Sequence, residues 1–132
     1  MKPEQFQGDS AETGAPGEVV KVGVIRKRRD FLAMRNAEKA HSPSFLMLAR
    51  HNPENGSVAR FGLTATKKLG GAVVRNRIRR RLRAAVREIF PQYACAGVDY
   101  VLIARQAAYD RNYDALLDDM KRSLLRLTSN LT

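Results

Sequence analysis

Residues 75–88 read RNRIRRRLRAAVRE, with arginine at six of the first nine positions and no acid before Glu88. Like charges three or four residues apart on a helix repel. A chain tolerates such a row when an external anion neutralises it. A guanidinium fork suits phosphate, which it grips bidentately, and it also stacks on bases. On a helical wheel, Asn76, Arg80, Arg83 and Arg87 fall on one side, Arg77 and Arg79 flank them, and Arg75 and Arg81 border the opposite arc. That arc holds Val74, Ile78, Leu82, Ala85 and Ile89 and must face a core. It is only wide enough to pack on a sheet, so a helix lying in a membrane surface is the poorer reading. From Phe61 to Arg87 there are nine basic residues, Lys67 and Lys68 among them, and no Asp or Glu. Asn76 within the row adds a neutral donor and acceptor suited to a base edge or a 2′-hydroxyl.

Nothing comparable supports bond breaking by the protein itself. A protein that cleaves phosphodiesters needs a general acid and base, or carboxylates that hold metal. His41 and His51 stand in or beside expected turns and read as loop residues. Asp118 and Asp119 are adjacent, so they diverge on a helix, cannot grip one ion together and read as solvated surface. Asp110 and Asp114 have the spacing of one helix face, but capping is the plainer role for Asp110. Leu69-Gly70-Gly71 lacks the G-x-x-x-x-G-K-S/T spacing of a phosphate loop and reads as a strand-to-helix turn. Cys95 has no second thiol for a disulfide or a zinc cluster and reads as a packing residue. No catalytic residue and no metal-ligand set is expected in this chain.

These groups need a scaffold. A chain of 132 residues is one domain's worth. Lys and Arg number 24 against 13 acids, a net charge of +11 that suits a polyanionic partner. The lone cysteine and the absence of an apolar signal segment in MKPEQFQGDS point to a reducing, cytoplasmic setting. No apolar run approaches the roughly 20 residues that a membrane span needs. Residues 1–22 are expected to form a disordered acidic tail, with Lys2 set against Glu4, Asp9, Glu12 and Glu18. Residues 23–129 are expected to form a single RNA-binding domain. There, VIRKRRDFLAMRNAEKA spaces Phe31, Leu32 and Met34 as a short helix, broken by His41, Ser42 and Pro43. FLMLARH from Phe45 reads as a strand and HNPENGS as a turn. VARFGLTAT from Val58 alternates with period two, as a half-buried strand does. The arginine helix runs from Ala72 to Phe90 and stops at Pro91. VDYVLIA from Val98 reads as an interior strand, and Tyr113, Leu116, Leu117, Met120, Leu124 and Leu127 stripe a C-terminal helix. This order, with room for one further short strand, is that of an α+β two-layer sandwich, with about four strands in a mixed sheet and helices packed on it.

The segment FGLTATKKLGGAVVRNRIRRRLRAAVRE, Phe61 to Glu88, closely resembles the signature of the bacterial ribonuclease P protein subunit. In that family a strand ends in a Ser/Thr-Lys-Lys loop that leads into an "RNR" helix. RKRRDF at 26–31 resembles the start of the family's N-terminal helix. FLMLAR resembles its first long strand, and DYVLIARQAA the strand before its last helix. The resemblance spans about residues 24–127. It implies a small α+β sandwich whose βαβ crossover is left-handed, against the usual right-handed rule. It also implies an enzyme whose catalytic subunit is RNA, acting with Mg2+ held mainly by that RNA and the substrate. The substrate is precursor tRNA, from which the 5′ leader is removed.

By the same resemblance, Lys67, Lys68, Arg75, Asn76, Arg77, Arg79, Arg80 and Arg83 bind RNA, and Arg87 continues their row. Phe31 and Phe45 match aromatic positions of a cleft for the single-stranded leader, with Arg28 and Arg35 beside them. Arg35 stands where the family often has a second aromatic, and Leu48 where another is common, so weaker leader stacking is expected, with Arg35 contributing charge or guanidinium stacking instead. The expected partners are the catalytic RNA and precursor tRNA, with no membrane and no protein oligomer. A structural RNA-binding protein of ribosomal or chaperone type would share the basic face, and composition does not separate the two. The motif and its flanks favour the ribonuclease P subunit.

Overall fold

Val98–Ala104 is apolar on both faces, apart from Asp99, and a strand of that kind belongs in the middle of a sheet. In the computed structural model, which describes residues 19–131, it does lie there. The strands are β1 (Lys21–Val24), β2 (Glu38–His41), β3 (Phe45–His51), β4 (Val58–Thr64) and β5 (Val98–Ala104). They form one five-stranded sheet in the order β1-β4-β5-β3-β2. β1, β4 and β5 run parallel, while β3 is antiparallel to β5 and β2 to β3. The helices are α1 (Arg28–Leu32), α2 (Ala72–Tyr93) and α3 (Tyr113–Leu131), with α2 as the crossover between β4 and β5. The α+β sandwich expected from the sequence is present, with five strands in place of about four.

The strands that escaped the sequence reading are the two edges. β1 is KVGV and β2 is EKAH, four residues each. Edge strands are often short and charged, and so they carry almost no hydrophobic period. β2 occupies residues that read as the end of the first helix, and α1 itself is five residues followed by a 3-10 turn at Ala33–Asn36. The fold also begins earlier than residue 23. The Val20 N–H donates to the Pro91 carbonyl at 2.8 Å, and Val22 is fully buried. The acidic tail expected for 1–22 otherwise lies outside the described residues. At the other end α3 continues past residue 129 to Leu131.

Each face of the sheet packs its own layer. α2 and α3 cover one face, over Phe45, Met47, Phe61, Tyr100 and Leu102. From α2 come Ile78, Leu82, Ala85, Val86 and Phe90, all buried, with Val74 and Ile89 only partly so. The apolar arc is therefore wider than the wheel suggested and rotated toward Val86 and Phe90. Phe90 sits edge-on between Phe61 and Tyr100, at centroid distances of 5.9 and 5.2 Å. Pro91 does not stop α2, which runs on to Tyr93. Within the final turn the missing proline N–H costs a single backbone bond, so the helix absorbs it. α3 buries Leu116, Met120, Leu124 and Leu127 on the expected stripe.

Two aspartates differ from expectation. Asp119 is buried, not solvated, and accepts from Arg111 Nε at 2.6 Å and from the Ser44 hydroxyl at 2.6 Å. Asp110 does not cap α3. The Asn112 side chain does, accepting from the Ala115 N–H at 3.1 Å.

The opposite face is covered more thinly. Phe31 and Met34 from the α1 segment pack there against Ile25, Leu48 and Val101, with Leu46 and Ile103 beside them. Next to them lies a polar cluster centred on Asp99, whose side chain is fully buried. Arg60 grips both its oxygens, from Nε at 2.8 Å and from Nη2 at 2.7 Å. Asn52 and Asn55 donate to the same carboxylate at 3.0 and 2.8 Å. Arg60 also reaches Asp30 at 3.4 Å, which ties α1 to the sheet.

Candidate nucleic-acid interface

The turn between β4 and α2 aims the first two cations. Lys67–Leu69 form a 3-10 turn in which Leu69 is buried, leaving Lys67 and Lys68 exposed. Gly70 follows at φ +139°, a backbone conformation L side chains rarely adopt, and a Cβ there would crowd Val74 at 3.0 Å. This is the turn-forming role expected of the two glycines. α2 then begins at Ala72, preceded by Gly71, with no side-chain cap and no acid in its first turn. Its first N–H groups are left to water or to an anion.

Burial sorts the arginines of α2. Asn76, Arg80, Arg83 and Arg87 are exposed, on the side the wheel assigned. The half-buried ones are tethered. Arg75 Nε donates to the Gly70 carbonyl at 3.2 Å, and Arg79 donates to Asn76 Oδ1 at 3.3 Å. Arg77 donates to the Tyr109 carbonyl at 2.8 Å and lies 4.8 Å from the centre of the Tyr109 ring. Arg81 donates to the Ala108 carbonyl at 2.7 Å and also to the Arg111 carbonyl. Arg77 and Arg81 thus hold the segment before α3 against α2, a contact that no helical wheel displays. Arg80 and Arg83 face outward without such a tether among the described residues, and Lys67 and Lys68 join them on the exposed surface.

On the thinly covered face, the residues expected to hold a leader are only partly together. Phe31 is half-buried, and its ring lies directly over Gly62. A Cβ at position 62 would come within 2.7 Å of the ring, so glycine is what lets the ring reach the sheet. Arg28 and Arg35 are exposed on the α1 segment beside it. Phe45 does not join them. It is 0% exposed, in the core beneath α2 and α3, on the other face from Phe31. Along β3, Phe45, Met47 and Ala49 share one side while Leu46, Leu48 and Arg50 share the other. A charged Arg50 in the second set was the available sign that 46 and 48 form the open face.

Two groove regions continue from Phe31 around the end of β4. One, of about 500 Å3, runs past Arg26, Arg28, Thr64 and Arg79. The other, of about 420 Å3, runs past Val24, Ile25, Leu63, Arg83 and Arg87. Both are lined by Phe31, Leu63 and Arg26, so the aromatic and the arginine row border two adjoining depressions. Sequence reading missed Arg26 and Thr64, whose role arises only from the fold. No helix is long and apolar enough to cross a membrane among the described residues.

Comparison with known proteins agrees with this geometry. The sequence profile of the family described as Ribonuclease P matches residues 21–128. The ribonuclease P protein component of Erythrobacter litoralis is 42% identical over 106 residues, covering 80% of this chain and 86% of that one. That of Caulobacter vibrioides is 42% identical over 107 residues, covering 81% and 72%. Among solved structures, an RNase P protein of Staphylococcus aureus superposes with TM-score 0.68 at 28% identity, covering 80% of this chain and 87% of that one. The RNase P protein of Thermotoga maritima gives 0.62 at 25% identity, covering 82% and 96%. Sheet, arginine helix and sequence thus converge: the chain belongs to the ribonuclease P protein family, as the protein subunit of an endoribonuclease that works with an RNA partner.

Proposed function

We propose that this chain binds the catalytic RNA through Lys67, Lys68 and the outward row of α2, and holds the 5′ leader of precursor tRNA over Phe31. The observation that carries the reading is the pair of adjoining grooves that set Phe31 beside Arg79 in one and Arg83 in the other. Phosphates lie against the guanidinium row, where charge-assisted hydrogen bonds are strongest. Leader bases stack on the Phe31 ring, flanked by Arg28, Arg35 and the Leu46–Leu48 side of β3. In this role the protein raises the affinity for precursor over mature tRNA, because only the precursor carries the leader. It acts in the cytoplasm.

The described residues hold no group of three or more His, Cys, Asp or Glu suited to a metal ion. Asp30 and Asp99, the carboxylates of the open face, are both taken up by Arg60. The donor set does not fit a resident Mg2+ site, and Mg2+ is assigned to RNA phosphates. The protein assists by lowering the repulsion between two RNA chains.

Phe31→Ala tests the leader assignment. Base–aromatic stacking contributes about 1–3 kcal/mol per base. The variant holoenzyme is expected to bind precursor tRNA roughly tenfold more weakly while binding mature tRNA as before. An equal loss for both substrates would place Phe31 outside the leader site.

A further inference from the structure

A second set of cations gathers where β2 stops and β3 begins. His41, Ser42, Arg122, Ser123 and Arg126 line a cavity of about 180 Å3 there, with Asp119 as its remaining polar wall. Arg105 closes one side, donating to the Ser42 carbonyl at 3.2 Å and contacting His41 Nδ1 at 3.0 Å. A guanidinium can only donate, so Nδ1 is the acceptor, and the ring proton sits on Nε2 as a further donor. On α3, Arg122 and Arg126 are four residues apart and both exposed, the same like-charge spacing as in the arginine helix.

The nearby acids do not cancel this charge. Asp119 is engaged by both Arg111 and Ser44. Asp118 meets Arg122 at 2.9 Å with both side chains more than half exposed, where an ion pair contributes little. Arg126 has no ion-pair partner among the described residues.

The position of this cluster is as informative as its composition. His41 pairs with Leu46, Phe45 with Ala104, and Thr64 with Ile103, so the end of β2, the start of β3 and the ends of β4 and β5 share one end of the sheet. Lys67 and Lys68 sit on the turn that leaves β4 at this same end. At the far end Arg60 pairs with Asp99 and Asp30, and Arg26, Lys27 and Arg29 line the same cavity as Glu54.

We propose that His41, Arg105, Arg122 and Arg126 form a second binding site for RNA phosphodiester, extending the interface around this end of the sheet onto α3. The proposal rests on the RNA-binding reading of α2 but concerns a separate set of residues. The phosphates belong either to the catalytic RNA or to the tRNA body, and the chemistry of the site is the same for both.

The test uses Arg122→Ala with Arg126→Ala, both exposed, and Arg126→Ala alone in case the pair disturbs α3. Lys21→Ala, on the β1 edge, controls for the loss of one charge in the single variant. Affinity is titrated against salt in two arms, a bacterial ribonuclease P RNA alone and precursor tRNA added to the preformed holoenzyme. The double variant is expected to bind about tenfold more weakly in one arm, with the salt slope lowered by roughly one to two, since each phosphate contact contributes about 0.7–0.9. The arm that responds identifies the RNA. Wild-type affinity and slope in both arms, or a change no larger than that of Lys21→Ala, would refute the second site while leaving the α2 reading intact. Failure of the wild-type chain to bind either RNA would refute the α2 reading itself.

Discussion

Asp99→Ala is expected to lose about 3–5 kcal/mol of stability, the usual cost of removing one partner from a buried ion pair. The carboxylate is fully buried and accepts from Arg60 twice and from Asn52 and Asn55 once each. Its removal leaves two amides without their acceptor and Arg60 with only its longer contact to Asp30, beside the strand at the centre of the sheet. Small domains are stable by only about 5–15 kcal/mol, so the variant should melt far below the wild type. Asp99→Leu with Arg60→Leu is expected to recover part of the loss, because an apolar pair leaves no buried charge.

The same cluster makes stability fall in acid. Burial on its own raises the Asp99 pKa, but the Arg60 guanidinium and the Asn55 and Asn52 amides outweigh it and hold it below the ordinary carboxylate value. A lowered folded-state pKa means that the contribution is fully present above the unfolded carboxylate value, near about 3.9, and is lost as pH drops below it. Denaturant titrations at neutral pH and below pH 4 should show this fall in the wild type and a shallower one in Asp99→Ala. A variant within about 1 kcal/mol of the wild type at neutral pH would contradict the geometry of the cluster.

The second large effect is on binding. Arg80→Glu with Arg83→Glu is expected to weaken affinity for a bacterial ribonuclease P RNA by about 100-fold. Hydrogen bonds to charged groups contribute about 1.5–3 kcal/mol each, and here the attraction is also reversed in sign. Both side chains are exposed, on the side of α2 away from Ile78 and Leu82, so cooperative melting should be unchanged. The salt slope should fall as well, since fewer counterions are released. Unchanged affinity in a filter-binding titration would remove these two arginines from the interface.

Much of this architecture is legible in the sequence, for identifiable reasons. β3, β4 and β5 carry enough apolar residues to display a strand period, and α2 and α3 are long enough to display a helical one. β1 and β2 are short edges with few apolar residues, Val22 and Ala40 being the fully buried ones, so nothing periodic announces them. The outward face of α2 follows from the wheel because a long amphipathic helix on a sheet leaves only one orientation. The division of its arginines does not, because Arg77 and Arg81 bond to carbonyls of residues 108, 109 and 111, brought near only by the fold. The layer that Phe45 faces does not follow from its type, because a β-strand aromatic can face either one. Its parity with Met47, opposite Arg50, decides the matter. Asp119 read as solvated because Arg111 and Ser44, its partners, converge on it only in three dimensions.

The most direct measurement is cleavage of a 5′-extended precursor tRNA at low Mg2+ by a bacterial ribonuclease P RNA, with and without this protein. The protein alone should be inert, the RNA alone nearly so, and the two together should cut at the mature 5′ end. Binding to the RNA without any stimulation of cleavage would contradict the account and leave the chain a general RNA-binding protein.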